Sequence, residues 1–272
     1  KAVDLQPDAF ILDLEDSVPL DEKDNARDVT ASYLEQFANT GQPVIPRVNS
    51  LDSGLLERDL QAVVGTHIFG VSVGKIQDAK HILEICKLLQ LLEIRSGLKI
   101  GATKLILWIE SASAIIHVYD ICQSSSRIIG VALGAEDFTN DMSIERRGDD
   151  SELIYARNAI VVAAHASRIQ AFDTPYFAFR DPEGLRENSL VSKSNGFGGR
   201  FAIHPSQLEI INKAYLPSLD EIKHAKDVIV AFNKATAQGR GSTSLDGKVV
   251  DVPVVKRAVA LIDRAKSFGV TL

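Results

Sequence analysis

Cysteine is scarce in this chain, with two among 272 residues. Cys86 and Cys122 lie far apart in apolar helical patterns and form no CxxC pair, which excludes a disulfide scaffold and points to a reducing compartment. No Asn-x-Ser/Thr sequon occurs. No apolar run approaches the roughly 20 residues that span a bilayer, so a soluble, intracellular protein without a membrane partner is expected. Excess positive charge is missing as well. Lys and Arg number 30 against 36 Asp and Glu, for a formal net charge of −6. The basic residues are scattered, so there is no footprint for a phosphate backbone and no nucleic-acid partner is expected. GxGxxG, GxxxxGK[ST] and HExxH are all absent, which removes the usual nucleotide cradles and a helical zinc-protease site. Lys1 to Leu5 do not resemble a signal or transit peptide, and the chain reads as beginning partway through a unit, as if a targeting segment had been removed.

What is present is alternation. Apolar runs rich in β-branched residues end in polar or charged residues, and each is followed by a stretch of helical periodicity. The strand candidates are Ala9 to Leu14, Pro43 to Val48, His67 to Val73, Lys104 to Ile109, Arg127 to Leu133, Ile169 to Phe172 and Arg200 to Ile203. The helices between them include Asp21 to Phe37, Gly54 to Val64, Gln77 to Leu92, Ser111 to Cys122 and Glu152 to Ser167. This is the signature of parallel βα units, and the expected fold is an α/β (β/α)8 TIM barrel over residues 1–216 lacking its first strand. Two more helical patterns, Leu219 to Ala237 and Pro253 to Phe268, flank a Gly-rich stretch at 239–247. They predict a C-terminal helical appendage and lid over 217–272, carrying a flexible loop.

In a parallel barrel the side chains just past the strands' carboxyl ends converge on one mouth. Here those positions are acidic. The first run ends in Glu15 and Asp16, the fourth at Glu110, the next at Asp137 and a later one at Asp173, while Arg47 lies in the second. Singly, each carboxylate could cap a helix or pair on the surface. Together, Glu110 and Asp137 at consecutive strand ends suit Mg2+, a hard cation that takes few protein carboxylates and keeps several waters. Arg47 has two readings, a structural ion pair with Glu15 or Asp16, or stabilisation of an enolate or carboxylate. His67, His81, His117, His165 and His224 make no zinc pattern. His204, at a strand end before Pro205, could cap the next helix or touch a ligand. Lys75, near its strand end, could suggest Schiff-base chemistry.

Several strings then coincide in order along nearly the whole chain: LDLEDSVP at 12–19, RVNS at 47–50, WIES at 108–111, LGAEDF at 133–138, YARNAIVVAA at 155–164, AFDTPY at 171–176, GFGGRFAIHPSQ at 196–207 and DGKVVDVP at 246–253. They resemble the citrate lyase beta-subunit-like group of the HpcH/HpaI aldolase superfamily, which includes malyl-CoA and citramalyl-CoA lyases. The GAEDF and RVNSLDSGL wording leans toward the mitochondrial citramalyl-CoA lyase branch. The resemblance implies a homotrimer in which Glu110 and Asp137 ligate Mg2+, Arg47 faces the reacting acyl group and Asp251 is the catalytic acid/base. By its position alone Asp251 would be a loop carboxylate capping the following helix. The resemblance further implies that Lys1, Lys23, Ile203 and His204 contact substrate or the coenzyme A arm, beside Glu15 and Asp16 at the mouth. The compartment it suggests is the mitochondrial matrix in a eukaryote and the cytoplasm otherwise. The family's opening strand with its RxxLFVPG-like string does not precede Lys1, Gly74-Lys75 stands for the usual Pro-Lys, and Ser111 stands where threonine is common.

The expected reaction is Mg2+-dependent cleavage of a short hydroxyacyl-CoA thioester into acetyl-CoA and a 2-keto acid, with malate-synthase-like output if the product thioester is hydrolysed. Two rivals remain open at this point: a coenzyme A-independent aldolase acting on a hydroxy keto acid, and a non-catalytic barrel subunit.

Overall fold

A computed structural model describes residues 2–270. The chain divides into two compact units, Lys1–Ile211 and Asn212–Leu272. The first holds a parallel sheet of six strands in sequence order, β1 (Arg47–Val48), β2 (Gly70–Val73), β3 (Lys104–Ile109), β4 (Ile128–Leu133), β5 (Gln170–Asp173) and β6 (Gly199–Arg200). Helices alternate with them: α1 (Lys23–Ala38), α2 (Leu56–Val63), α3 (Ala79–Arg95), α4 (Ala112–Ile116), α5 (Val118–Gln123), α6 (Ala135–Asp141), α7 (Ile154–Ser167) and α8 (Pro182–Asn195). Sequential parallel order with intervening helices is the winding of a (β/α)8 barrel. The strands are buried on both faces, as a helix-covered parallel sheet requires. Val48, Val71, Val73, Leu105, Leu107, Ile109, Val131 and Leu133 are all shut away from solvent. A second row, Trp108, Ala132 and Phe172, stands in register across β3, β4 and β5.

The first strand candidate is weaker than its sequence suggests. Residues 9–14 make two isolated parallel bridges, Phe10 to Val44 and Asp13 to Arg47, rather than a named strand. The second candidate also shortens. Pro46 has no N–H to offer, so the regular pairing of β1 with β2 begins only at Arg47. The segment nevertheless sits beside β1, because Ile45 and Arg47 donate their N–H groups to the Phe10 and Leu12 carbonyls at 2.8 Å. The last candidate ends at Arg200, since the Phe201 ring turns onto Trp108, 4.4 Å between centroids, and the Ile203 N–H goes to Gln207 Oε1 at 2.8 Å. The expected helix over 111–122 breaks at His117 into α4 and α5.

Helix starts follow local chemistry. The Asp78 side chain accepts from the Lys80 and His81 N–H groups, Ser111 from Ala114 and Asp181 from Gly184. Helices α6 and α8, and α9 (Leu208–Tyr215), were not anticipated from periodicity.

The second unit contains α10 (Leu219–Ala237), a hairpin of β7 (Thr243–Leu245) and β8 (Lys248–Val250), and α11 (Val252–Ser267). Ile222, Ala225, Val228, Val250, Ala258, Ile262 and Ala265 form its own core. The Gly-rich stretch is therefore in part a paired hairpin rather than a flexible loop. Its tip, Asp246-Gly247, has φ of 50° and 75°, the left-handed pair that a two-residue hairpin turn demands. No helix among the described residues is long and apolar enough to cross a membrane.

Candidate active site at the strand ends

Strand pleating and register assemble the site. Asp13 and Glu15 alternate along the first segment, and Asp13 pairs in register with Arg47. The Arg47 guanidinium forks onto Asp13, Nε to Oδ1 at 2.8 Å and Nη2 to Oδ2 at 2.6 Å. Its third nitrogen, Nη1, lies 3.2 Å from Glu15 Oε2 and 4.0 Å from Asp16 Oδ2 without an aligned hydrogen bond. Glu15 Oε2 is buried and has no hydrogen-bond partner among the described residues. Lys75 holds the other oxygens, its Nζ at 2.8 Å from Glu15 Oε1 and 3.0 Å from Asp16 Oδ1. Two cations and three carboxylates thus interlock around an Arg47 edge that retains unspent donors.

Glu110 is sunk beside this cluster, 6% exposed. The Lys75 backbone N–H donates to its Oε2 at 2.6 Å. That bond depends on Lys75 adopting φ of 56°, an uncommon conformation for a residue with a Cβ. Gly74 and Gly134 make room for the carboxylate. A Cβ at Gly74 would stand 2.9 Å from Glu110 Oε2 and 3.3 Å from Glu15 Oε1, and one at Gly134 would overlap the Glu110 side chain. Asp137 is half-buried in the first turn of α6.

Burial, reinforced by the charges of Glu15 and Asp137, pushes the Glu110 carboxyl up to about 7, against the pull of the Lys75 N–H. Burial also raises Glu15, partly offset by Lys75 and Arg47. Asp13 behaves oppositely. Burial alone would raise it, but the bonds from Arg47 and Ser17 outweigh that and bring it down to about 2. The same pairings outweigh burial for Arg47 and Lys75 and hold both above their ordinary ranges. A lysine so held is a poor Schiff-base nucleophile, which needs an unprotonated amine, so Lys75 serves as a countercharge and a backbone donor.

Other sequence candidates fall elsewhere. Asp173 is fully buried between Arg157 and Arg200 and serves a structural ion-pair network. Lys23 is buried, and its ammonium donates to the Leu14 and Glu15 carbonyls at 2.7 and 2.6 Å. That contact fixes the segment carrying Glu15 and leaves no exposed ammonium for a ligand. His204 caps the short helix Pro205–Gln207 through Nδ1, and Ile203 beside it is half exposed. Asp251 belongs to the second unit, where it caps α11 by accepting from the Val254 N–H at 3.2 Å. Lys1 lies outside the described residues. Asp13 was missed, although its place two residues before Glu15 put it on the same face.

No group of three or more His, Cys, Asp or Glu side chains fit to hold a metal occurs among the described residues. A Mg2+ site does not need one, because this ion takes one or two carboxylates and keeps water or substrate oxygens elsewhere. Glu110 and Asp137 fit that requirement. The charge of Asp137 is near enough to help raise Glu110, and the neighbouring cations Arg47 and Lys75 are engaged by Asp13, Glu15 and Asp16.

Fold and site together define a parallel α/β enzyme with an acidic mouth at its strand ends. The family model described as HpcH/HpaI aldolase/citrate lyase matches residues 1–205. The chain belongs to that family and is a carbon–carbon lyase. It is 37% identical to the citrate lyase subunit beta of Leuconostoc mesenteroides, over 96% of this chain and 86% of that protein. Identity is 31% with the L-malyl-CoA/beta-methylmalyl-CoA lyase of Rhodobacter capsulatus, covering 95% and 87%. With the mitochondrial citramalyl-CoA lyase of Rattus norvegicus it is 29%, covering 98% and 82%. The wording that leaned toward the mitochondrial branch thus sits in a chain with higher overall identity to the bacterial subunit. Among solved structures, CitE of Mycobacterium tuberculosis in complex with magnesium, acetoacetate and coenzyme A superposes with a TM-score of 0.78 at 27% identity, covering 94% of this chain and 89% of that one.

Proposed function

We propose that the protein cleaves, or in reverse forms, a carbon–carbon bond in a short hydroxyacyl-CoA thioester of the citramalyl or malyl type, giving acetyl-CoA and a 2-keto acid, with Mg2+ held by Glu110 and Asp137. The observation that carries this reading is the Glu110 carboxylate, sunk at the strand ends and pushed up by burial and then by the charges of Glu15 and Asp137, beside an Arg47 edge with unspent donors. Cleavage of such a thioester releases an enolate, and negative charge must be met as it develops. The bound cation would supply Lewis-acid polarisation of the acid half's oxygens and a template that orients them. Arg47 contributes its Nη1 edge, aimed by the Asp13 fork, to a substrate carboxylate or the developing enolate. Glu15 and Asp16, clamped by Lys75, keep that edge in place and close the wall of the pocket. Asp251 is the acid/base of this reading: it removes a methyl proton from acetyl-CoA in the synthetic direction and returns one to the enolate in cleavage. A homotrimer is part of the same reading, and Ile203 and His204 are its contacts to the coenzyme A arm.

The test is a substrate panel. Malyl, citramalyl and citryl thioesters, and a free hydroxy keto acid, are incubated with Mg2+ and with chelator while keto-acid release is followed. Turnover of a thioester that stops with chelator is expected. Turnover of the free acid, or full activity in excess EDTA, would overturn the proposal.

A further inference from the structure

Asp137 reaches the mouth from the first turn of α6, a helix of seven residues whose start at Gly134 has no side-chain cap. Local capping therefore does not fix the turn that carries this carboxylate. The rest of the helix is fastened at two places: Phe138 is buried, and Asp141 Oδ2 at the far end accepts from the Ala112 N–H at the start of α4 at 2.8 Å. The first turn is fastened through Glu136, the residue beside Asp137. Its Oε1 accepts from Arg146 Nη1 at 3.2 Å.

Arg146 is anchored more deeply than an exposed ion pair, which by itself would contribute little. Its Nη2 donates to Asp150 Oδ1 at 2.7 Å, and its Nε lies 3.1 Å from Glu152 Oε1. The Glu152 side chain is 4% exposed, and neither of its oxygens has a hydrogen-bond partner among the described residues, so Arg146 stands as its countercharge. Asp150 is the base of the strap. Its Oδ2 accepts from Arg157 Nη1 on α7 at 3.2 Å and from Asn188 Nδ2 on α8 at 2.8 Å. Its backbone holds φ at 55°, with its carbonyl accepting the Leu153 N–H at 3.0 Å. A non-glycine residue keeps that conformation where its surroundings dictate it. Arg157 in turn grips Asp173 at the end of β5. One guanidinium thus connects the turn beside the mouth to a buried network at the strand ends.

We propose that Arg146 is a positioning residue for the cation site: it straps Glu136, and with it the first turn of α6, to the buried Asp150, and so holds the Asp137 carboxylate beside Glu110. The inference rests on the reading of those two carboxylates as the Mg2+ ligands and adds the group that sets the second of them. Its effect has the opposite sign to that of its charge. A guanidinium near an acidic mouth repels a cation, so removing it would tighten Mg2+ binding if charge alone acted. Removing a strap loosens binding instead, by about ten-fold on the scale of lost support behind a metal ligand.

The experiment measures Mg2+ binding to the full chain by calorimetry, without substrate, together with amide hydrogen exchange of the metal-free protein. Arg146→Gln combined with Glu152→Gln leaves the net charge unchanged and strands no buried Glu152 carboxylate. This double variant should bind Mg2+ about ten-fold more weakly, and its α6 amides should exchange faster while those of β3 and β4 stay protected. Arg146→Lys keeps a cation for Asp150 and Glu152 but not the planar fork that also spans to Glu136, so it should weaken binding as well. It carries the test where the double variant loses its thermal transition. Mg2+ affinity equal to or tighter than wild type in both variants, or unchanged exchange of α6, would overturn the positioning role while leaving the two ligands in place. A wild-type protein that binds no Mg2+, or that binds it undiminished after Asp137→Ala, would overturn the metal reading and this inference with it.

Discussion

Replacing Glu110 by glutamine should make the metal-free protein more stable, and increasingly so as the pH rises. In the folded chain burial and the charges of Glu15 and Asp137 lift this carboxyl from 4.5 to about 7. The unfolded chain has no such environment. The folded state therefore holds the proton more tightly, so the stability Glu110 contributes is full below about pH 4.5 and is lost as the pH rises through about 7. By linkage a shift of this size amounts to about 3 kcal/mol at high pH, of which a little under 1 is already lost near pH 5. The amide cannot ionise and can still accept the Lys75 N–H bond, so the gap between variant and wild type should open by about 2 kcal/mol between pH 5 and about pH 8.5. The assay is urea unfolding in EDTA at the two pH values, followed by emission of Trp108, the single tryptophan of the chain, which is buried in the first unit. Added Mg2+ should stabilise the wild type at the higher pH by binding the ionised form, and leave the variant unmoved. A gap of equal size at both pH values would refute the reasoning, because the cost would then not arise from ionisation of Glu110.

Four further outcomes are expected. Asp137→Ala should abolish turnover while circular dichroism stays native, and wild-type turnover lost in EDTA should return with Mg2+. Arg47→Lys keeps the charge but not the planar fork that Asp13 grips, so kcat should fall about ten-fold or more with KM little changed; a change confined to KM would reassign Arg47 to uniform binding. Mixing inactive Asp251→Asn with inactive Glu110→Ala protein should restore part of the activity if Asp251 serves a neighbouring subunit, and demonstrably mixed oligomers that stay inactive would remove that role. Glu93 holds Arg127 through two bonds of 2.6 and 2.7 Å in a buried site, so Glu93→Ala should cost about 3–5 kcal/mol by stranding a buried cation, read from the same urea titration.

The order of strands and helices, the acidic residues at the strand ends and the two C-terminal helices were legible in the sequence, although the second compact unit begins at Asn212 rather than at 217. The reason is that periodicity and end chemistry are local properties. Alternation over 104–110 was enough to place Trp108 and Glu110 on one face of a strand, and Ser218 with Glu221 marked the start of α10. What local pattern cannot state is which neighbour a side chain meets, because that follows from register between segments distant in sequence. Arg47 was expected against Glu15 or Asp16 and is gripped first by Asp13, since the first segment pairs with β1 at that register. Asp173 looked equivalent to Asp137 at a strand end, yet Arg157 on α7 and Arg200 on β6 close over it. Lys23 looked available for a ligand, and packing of α1 spends its ammonium on two carbonyls. Nothing local shows why glycine stands at 74 and 134, whereas in the folded chain a Cβ at either would meet the Glu110 carboxylate. Composition and spacing thus determined which groups reach the mouth of the barrel. Tertiary packing decided which of them are consumed by structure and which keep a free edge for chemistry, because burial and pairing exist only once the strands are in register.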